Sequence, residues 1–279
     1  MRKKNHFIFI LFLFISLAGY SQSNFFPNNE RKLSNDSLEY FQVRTDTLYN
    51  SKQIISFLIL PKTSFNKFHF KIEYNKPDLR KTSSFGEINN AVAALNGSYF
   101  DMDSIAGVVY LEVNDSVINR TRSAKLKWAK PDSIINGAVI ITNENKITIQ
   151  AVKPDEFYET SKEEKAVLVS GPVLLLNSKK INLADMKFVT NRHPRTFLCT
   201  TGNDILFIAV DGRSSKAEGM NLIEAQDFLL DLGCISAINL DGGGSTTLWI
   251  KDKGIINNPS DLTGERPVSN AILIMKNEK

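Results

Sequence analysis

Three consecutive glycines, Gly242-Gly243-Gly244, follow a carboxylate at the end of an apolar run, within Asn239-Leu240-Asp241-Gly242-Gly243-Gly244-Ser245-Thr246-Thr247. Glycine loses more backbone freedom on folding than any other residue, so such a run persists where the chain must turn sharply or approach something closely. The flanking segments 235–240 and 246–250 read as buried strands. The exposed amides of the turn suit an anion nest, to which Ser245 adds a hydroxyl donor. The plainer alternative is a glycine-rich hairpin with Asp241 as a turn former.

The rest of the pattern is that of a sheet protein. Ile54, Ile55, Phe57, Leu58 and Leu60 form a buried-strand run, and Phe68, Phe70 and Ile72 alternate as a half-buried strand does. Further strands are predicted at 91–95, 108–113, 138–142, 146–151, 167–176, 196–201, 204–210 and 271–275. Gly202-Asn203 suits a two-residue type II′ hairpin between 196–201 and 204–210. One helix stands out: Asn221 caps it, Glu224 completes a capping box, Leu222, Ala225, Leu229 and Leu232 form its apolar stripe, and Gly233 ends it. The expected architecture is a single mixed α/β (α+β) domain, a large, twisted, mostly antiparallel sheet with a few flanking helices.

Arg2, Lys3 and Lys4, the uncharged apolar run 7–17, and the small or polar residues Ala18, Gly19, Ser21 and Ser23 have the order of a secretory signal peptide. The run is shorter than the about 20 apolar residues of a membrane span. The expected organisation is therefore a leader at 1–22, a polar, irregular extension at 23–52 and a folded domain at 53–279. A secreted or periplasmic product without a membrane span would follow. Loss of the leader removes three of the 34 Lys+Arg against 30 Asp+Glu, bringing the chain close to neutrality. No clustered basic face points to nucleic acid. Cys199 and Cys234 are the two cysteines. An oxidising compartment would let them pair, whereas their apolar surroundings equally suit two small hydrophobes.

Polar residues gather at predicted strand ends. His193-Pro194-Arg195-Thr196 opens one strand and Asp211-Gly212-Arg213 closes the next, so the hairpin would bring Arg195, Arg213, His193 and Asp211 together. Two arginines there can clamp a phosphate; the alternative is an Arg195–Asp211 salt bridge. His193 changes charge near neutrality. Glu218 is either a second acid or a residue favouring the helix N-terminus. Asn96-Gly97-Ser98-Tyr99-Phe100-Asp101 reads as a strand-end loop with groups for a ligand, or as an ordinary Asn-Gly turn. Asn257-Asn258-Pro259-Ser260-Asp261 and Gly264-Glu265-Arg266-Pro267-Val268-Ser269-Asn270 form a later polar loop. In it Arg266 positions the site or pairs with Asp261 or Glu265, and Ser269 and Asn270 precede the closing strand.

Taken in order, these segments and Ser170-Gly171-Pro172-Val173-Leu174 and Gly219-Met220-Asn221-Leu222 resemble the phosphodiester glycosidase family over about residues 90–275. The resemblance implies hydrolysis of the sugar C1–O bond of a glycosyl phosphodiester or phosphoglycan, releasing free sugar and a phosphomonoester. A phosphate leaving group is already acidic, so anion stabilisation matters more than proton donation. On that reading Asp241 or Asp211 is nucleophile or base, with Glu218 the second carboxylate. Arg195, Arg213, His193, Asn96, Asn239, Gly242, Gly243, Gly244, Ser245, Arg266 and Asn270 bind substrate. No cofactor is required and no ligand spacing demands a metal, while a divalent cation near Asp211 and Asp241 is compatible with the sequence. The rival readings are a noncatalytic phosphoglycan-binding protein and a phosphodiesterase that cleaves the P–O bond.

Overall fold

The computed structural model describes residues 32–278 except 124 and 128. The expected leader and the first residues of the extension lie outside these. The largest sheet has eight strands in the order β1 (Lys32–Leu33), β2 (Glu39–Thr45), β3 (Gln53–Pro61), β16 (Asp204–Val210), β15 (Arg195–Thr200), β17 (Ser236–Asn239), β13 (Val173–Leu176) and β14 (Lys179–Lys180). A second sheet runs β11 (Ile147–Ala151), β10 (Gly137–Thr142), β12 (Glu164–Ser170), β8 (Leu111–Val113) and β9 (Ser116–Asn119). A third runs β19 (Gly254–Ile255), β18 (Leu248–Ile250), β5 (Ala93–Asn96), β20 (Asn270–Lys276) and β4 (Phe68–Tyr74). The short β6 (Phe100–Asp101) and β7 (Ala106–Gly107) pair with each other. The expected sheet is thus divided into several, and these pairings are antiparallel.

The central strands read as unbroken apolar runs because both their faces are buried. On β3, Ile55, Phe57 and Ile59 enter one core, while Leu58 and Leu60 enter another. On β16 the same alternation sends Leu206, Ile208 and Val210 one way and Ile205, Phe207 and Ala209 the other. The first core is closed by α4 (Leu222–Asp231), whose Leu222, Ala225, Phe228 and Leu229 pack on it. The second lies between the main sheet and the two five-stranded sheets. A smaller core on the far face of the third sheet joins Trp249, Ala94, Ala271 and Leu273 to Phe85 of α1 (Thr82–Ile88). Phe57 stacks on Phe41 at 4.7 Å between ring centroids. Burial of each such ring contributes about 1.5–3 kcal/mol.

The capping box is present as expected: Asn221 Oδ1 accepts from the amides of Ile223 and Glu224, and Glu224 Oε2 accepts from the Asn221 amide. Three shorter helices accompany it, α1, α2 (Asp155–Thr160) and α3 (Lys187–Thr190). The first turn of α1 is held from 182 residues away, since Glu265 accepts from Ser83 N and Ser83 Oγ at 2.7 and 2.6 Å.

Several local expectations change. The β15–β16 hairpin exists, but Gly202 is not in the left-handed region; the Thr201 hydroxyl instead accepts from the amides of Asn203 and Asp204. The run 167–176 is broken at Gly171-Pro172 into β12 and β13, which belong to different sheets. The extension read as irregular at 23–52 supplies β2, paired with β3 along its whole length. Cys199 and Cys234 form a disulfide, with 5.8 Å between their α-carbons.

Candidate active site

Antiparallel pairing sets the position of the site. The register Arg195↔Val210 and Phe197↔Asn239 places the start of β15 beside the ends of β16 and β17. In the third sheet, Ala271↔Asn96 does the same for the start of β20 and the end of β5. Asp211, Asp241, Asn96, Arg195 and Asn270 therefore emerge from one set of strand ends.

The loops pack backbone against backbone. A β-carbon at Gly212, Gly219 or Gly242 would collide with the backbone of His193 or Pro194. The amide of Gly243 donates to Pro194 O at 2.9 Å. Gly243 has φ +63°, which glycine adopts without penalty, and a β-carbon there would lie 3.0 Å from both terminal nitrogens of Arg213. At Gly244 it would meet the Arg266 guanidinium and the Asp261 carboxylate. Close approach is thus what the three glycines provide. The amides of Gly242 and Ser245 are spent within the turn, on Asp241 Oδ1 and Gly242 O.

Asp241 is held through its main chain. Its amide donates to Gly97 O at 3.0 Å and its carbonyl accepts from Asn96 Nδ2 at 2.7 Å. Asn96 is a hub, because its Oδ1 also accepts from Thr196 Oγ1 and the Thr247 amide. Asn270 Oδ1 accepts from the Ser98 amide and fixes the same loop. Asn239 Nδ2 donates to Tyr99 Oη, Gly171 O and Leu240 O. Burial raises the pKa of the Asp241 carboxyl; Ser245, Lys130, Arg266 and the Gly242 amide oppose the rise. The buried Ser245 hydroxyl turns towards that carboxylate without reaching full hydrogen-bond geometry with any acceptor.

Lys130 is a residue that the sequence reading missed. Its Nζ lies 5.1 Å above the Tyr99 ring, and its charge acts on Asp241. Nothing in the local pattern around residue 130 marks it. Tyr99 ties the two sides together: burial raises its hydroxyl far above the usual phenol range, Asp241 adds to the rise and Arg195 opposes it. Arg195 and Asp241 therefore share one neighbourhood.

Arg195 itself is 2% exposed. Its Nε donates to Met220 O, one terminal nitrogen donates to Phe188 O and Asn191 O, and the guanidinium lies 5.0 Å over the Phe188 ring. Burial pushes its pKa down to about 10, so it stays protonated at neutral pH. Arg213 by contrast is exposed. His193 is half-buried, and burial with the charges of Arg195 and Arg213 lowers its pKa.

The remaining carboxylates are engaged elsewhere. Asp211 Oδ1 accepts from the Asn258 amide at 2.9 Å and Oδ2 from Asn258 Nδ2 at 2.5 Å, while burial raises its pKa. Glu218 pairs with Arg192 at 3.1 Å and accepts from the Lys52 amide. Arg266 forms a two-pronged pair with Asp261 at 2.7 and 2.9 Å. Among the described residues no group of three His, Cys, Asp or Glu is placed to hold a metal ion. No described helix is long and apolar enough to cross a membrane.

Comparison with known proteins agrees with this geometry. The catalytic domain of zebrafish N-acetylglucosamine-1-phosphodiester alpha-N-acetylglucosaminidase, auto-inhibited by its pro-peptide, superposes with a TM-score of 0.68 and 17% identity over 92% of this chain and 86% of that one. A hypothetical protein from Synechocystis gives a TM-score of 0.59 and 13% identity over 85% of this chain and 62% of that one. Both likenesses are of fold. The SPbeta prophage-derived uncharacterized protein YomE of Bacillus subtilis strain 168 is 39% identical over 71 residues, which are 25% of this chain and 11% of that protein. The phosphodiester glycosidase family model matches residues 89–275, well over half of the chain. With that match on the same strand ends and loops, the chain belongs to the phosphodiester glycosidase family.

Proposed function

We propose that this protein hydrolyses the sugar C1–O bond of a glycosyl phosphodiester. The supporting observation is a half-buried, cation-flanked carboxylate, Asp241, two residues before Gly243, on which the exposed guanidinium of Arg213 lies. Arg213 holds the phosphate, with His193 beside it. His193 enters with its proton affinity lowered by burial and by the charges of Arg195 and Arg213, and an arriving anion offsets the arginines' part. Asp241 supplies the carboxylate at the anomeric carbon. The C1–O bond breaks with its electron pair passing to the phosphate oxygen, and water supplies the hydroxyl of the free sugar. Because the leaving phosphate is a weak base, preorganised positive charge does most of the work.

Arg195 acts by positioning the 188–191 and 220 backbone. Asp211 with Asn258, and Asn96, Asn239 and Asn270, hold the loops in the same way. Asp241 is bordered by Lys130 and Arg266 and Asp211 is filled by Asn258, a donor set that favours an anion over a divalent cation. We also place the protein outside the cytoplasm, since its disulfide suits an oxidising compartment.

The test is turnover of a glycosyl phosphodiester in water labelled with oxygen-18. Label in the sugar is the expected result. Label in the phosphate would establish P–O cleavage, and saturable binding without product would establish a phosphoglycan-binding protein.

A further inference from the structure

A cavity of about 250 Å³ opens on the Asp211 side of the glycine turn, lined by Arg44, Arg213, Lys216, Asp211, Asn258 and Ser260. We infer that it is a second anion site, which takes a phosphate group one repeat away from the scissile phosphodiester. The identity of that ligand rests on the glycosidase reading; the existence of the site does not.

Three cations from two separate stretches of chain converge on this space. Arg44 comes from β2, with its Nε donating to Gln42 Oε1 at 3.0 Å. Arg213 and Lys216 come from the loop after β16. None of the three forms an ion pair among the described residues. All three are exposed, and together they give the concavity a positive field that attracts an anion. One acid, Asp211, faces these three cations; burial opposes its ionisation, while Asn258, through both oxygens, and the charge of Arg44 favour it. The Ser260 hydroxyl is buried and has no partner, which supplies an unused donor.

Arg213 joins this cavity to the reaction centre. It sits at φ +59°, a conformation uncommon for a residue with a side chain, and its guanidinium lies on Gly243 while the residue lines the cavity. A ligand that engages both places needs two negative groups in series. A polymer of glycosyl phosphates has that form, and a single sugar phosphodiester does not.

The test compares wild type with Arg44→Ala and Lys216→Ala, both exposed side chains outside the proposed reaction centre, on two ligands. One is an aryl glycosyl phosphodiester with one phosphate; the other is an oligomer of three glycosyl phosphate repeats. Each variant should bind the oligomer about tenfold more weakly by calorimetry, keep its KM for the aryl substrate and keep its Tm. Lys216→Glu should weaken oligomer binding further. Equal oligomer affinity in wild type and variants would overturn the site. Inorganic phosphate separates the two sources of the anion. If phosphate alone alters aryl turnover through Arg44 and Lys216, and the oligomer shows no advantage, the cavity serves free phosphate and the second-repeat assignment fails. The calorimetric result stands whether or not the oxygen-18 experiment supports C1–O cleavage, so the two failures are distinguishable.

Discussion

The guanidinium of Arg213 rests on the bare α-carbon of Gly243, so close that a methyl group there would stand 3.0 Å from both of its terminal nitrogens. Gly243→Ala meets this contact and a left-handed φ together. The backbone conformation alone costs about 1–2 kcal/mol. The variant should lose that much stability in urea unfolding and also raise KM. Arg213→Ala should raise KM about 10- to 100-fold with Tm unchanged, because its exposed guanidinium has no hydrogen-bond or ion-pair partner among the described residues to strand.

Arg195→Ala should behave in the opposite manner. The side chain donates to three backbone carbonyls, of Met220, Phe188 and Asn191, and its removal breaks those bonds and opens a void at a residue that is 2% exposed. We expect a loss of about 3 kcal/mol or more in chemical unfolding. Activity should fall through kcat more than KM, since the loops lose their placement while Arg213, the proposed phosphate ligand, is retained.

The carboxyl of Asp241 sets the pH behaviour. Its folded pKa is raised, so the ionised form is destabilising above that pKa and the cost disappears as pH falls through it. Asp241→Asn should therefore melt at a higher temperature than wild type at neutral pH, with the difference closing at acid pH. Its turnover should fall at least about 10³-fold. The acid limb of kcat/KM in wild type should lie above that of an ordinary aspartate. Lys130→Ala should move it higher still, because Lys130 holds the Asp241 pKa down. A pH–rate profile for each variant reads both effects.

Removal of the Cys199–Cys234 bridge should cost stability and leave chemistry intact. The link closes a loop of 35 residues in sequence separation. It contributes about 3–4 kcal/mol on chain-entropy grounds. The Cys199→Ala/Cys234→Ala double variant should melt about ten degrees lower, while its kcat at 20 °C stays near that of wild type. The reason is position: Cys199 lies towards the far end of β15 from Arg195.

What was legible in the sequence was local or periodic. The Asn221–Glu224 capping box needs only three residues of spacing, and the apolar runs of β3 and β16 state directly that both faces are covered. The glycine turn after Asp241 was equally plain as a place of close approach. Other features depend on distant chain. α1 has no cap of its own and borrows Glu265, so its seven residues carried no start marker. Arg195 reads like a phosphate clamp until Phe188, Asn191 and Met220 present their carbonyls to it. Lys130 enters by folding over Tyr99, a contact without any sequence period.

The strand β20 fits between β4 and β5, both of which precede it by well over a hundred residues. A nascent chain that has delivered everything up to residue 269 still has a gap in the middle of that sheet, with Asn96 and Leu95 lacking their β20 partners Ala271 and Ile272. Ribosomal synthesis would thus leave the sheet incomplete until residues 270–276 emerge, and the two waiting edges are where a holding chaperone would be expected to act.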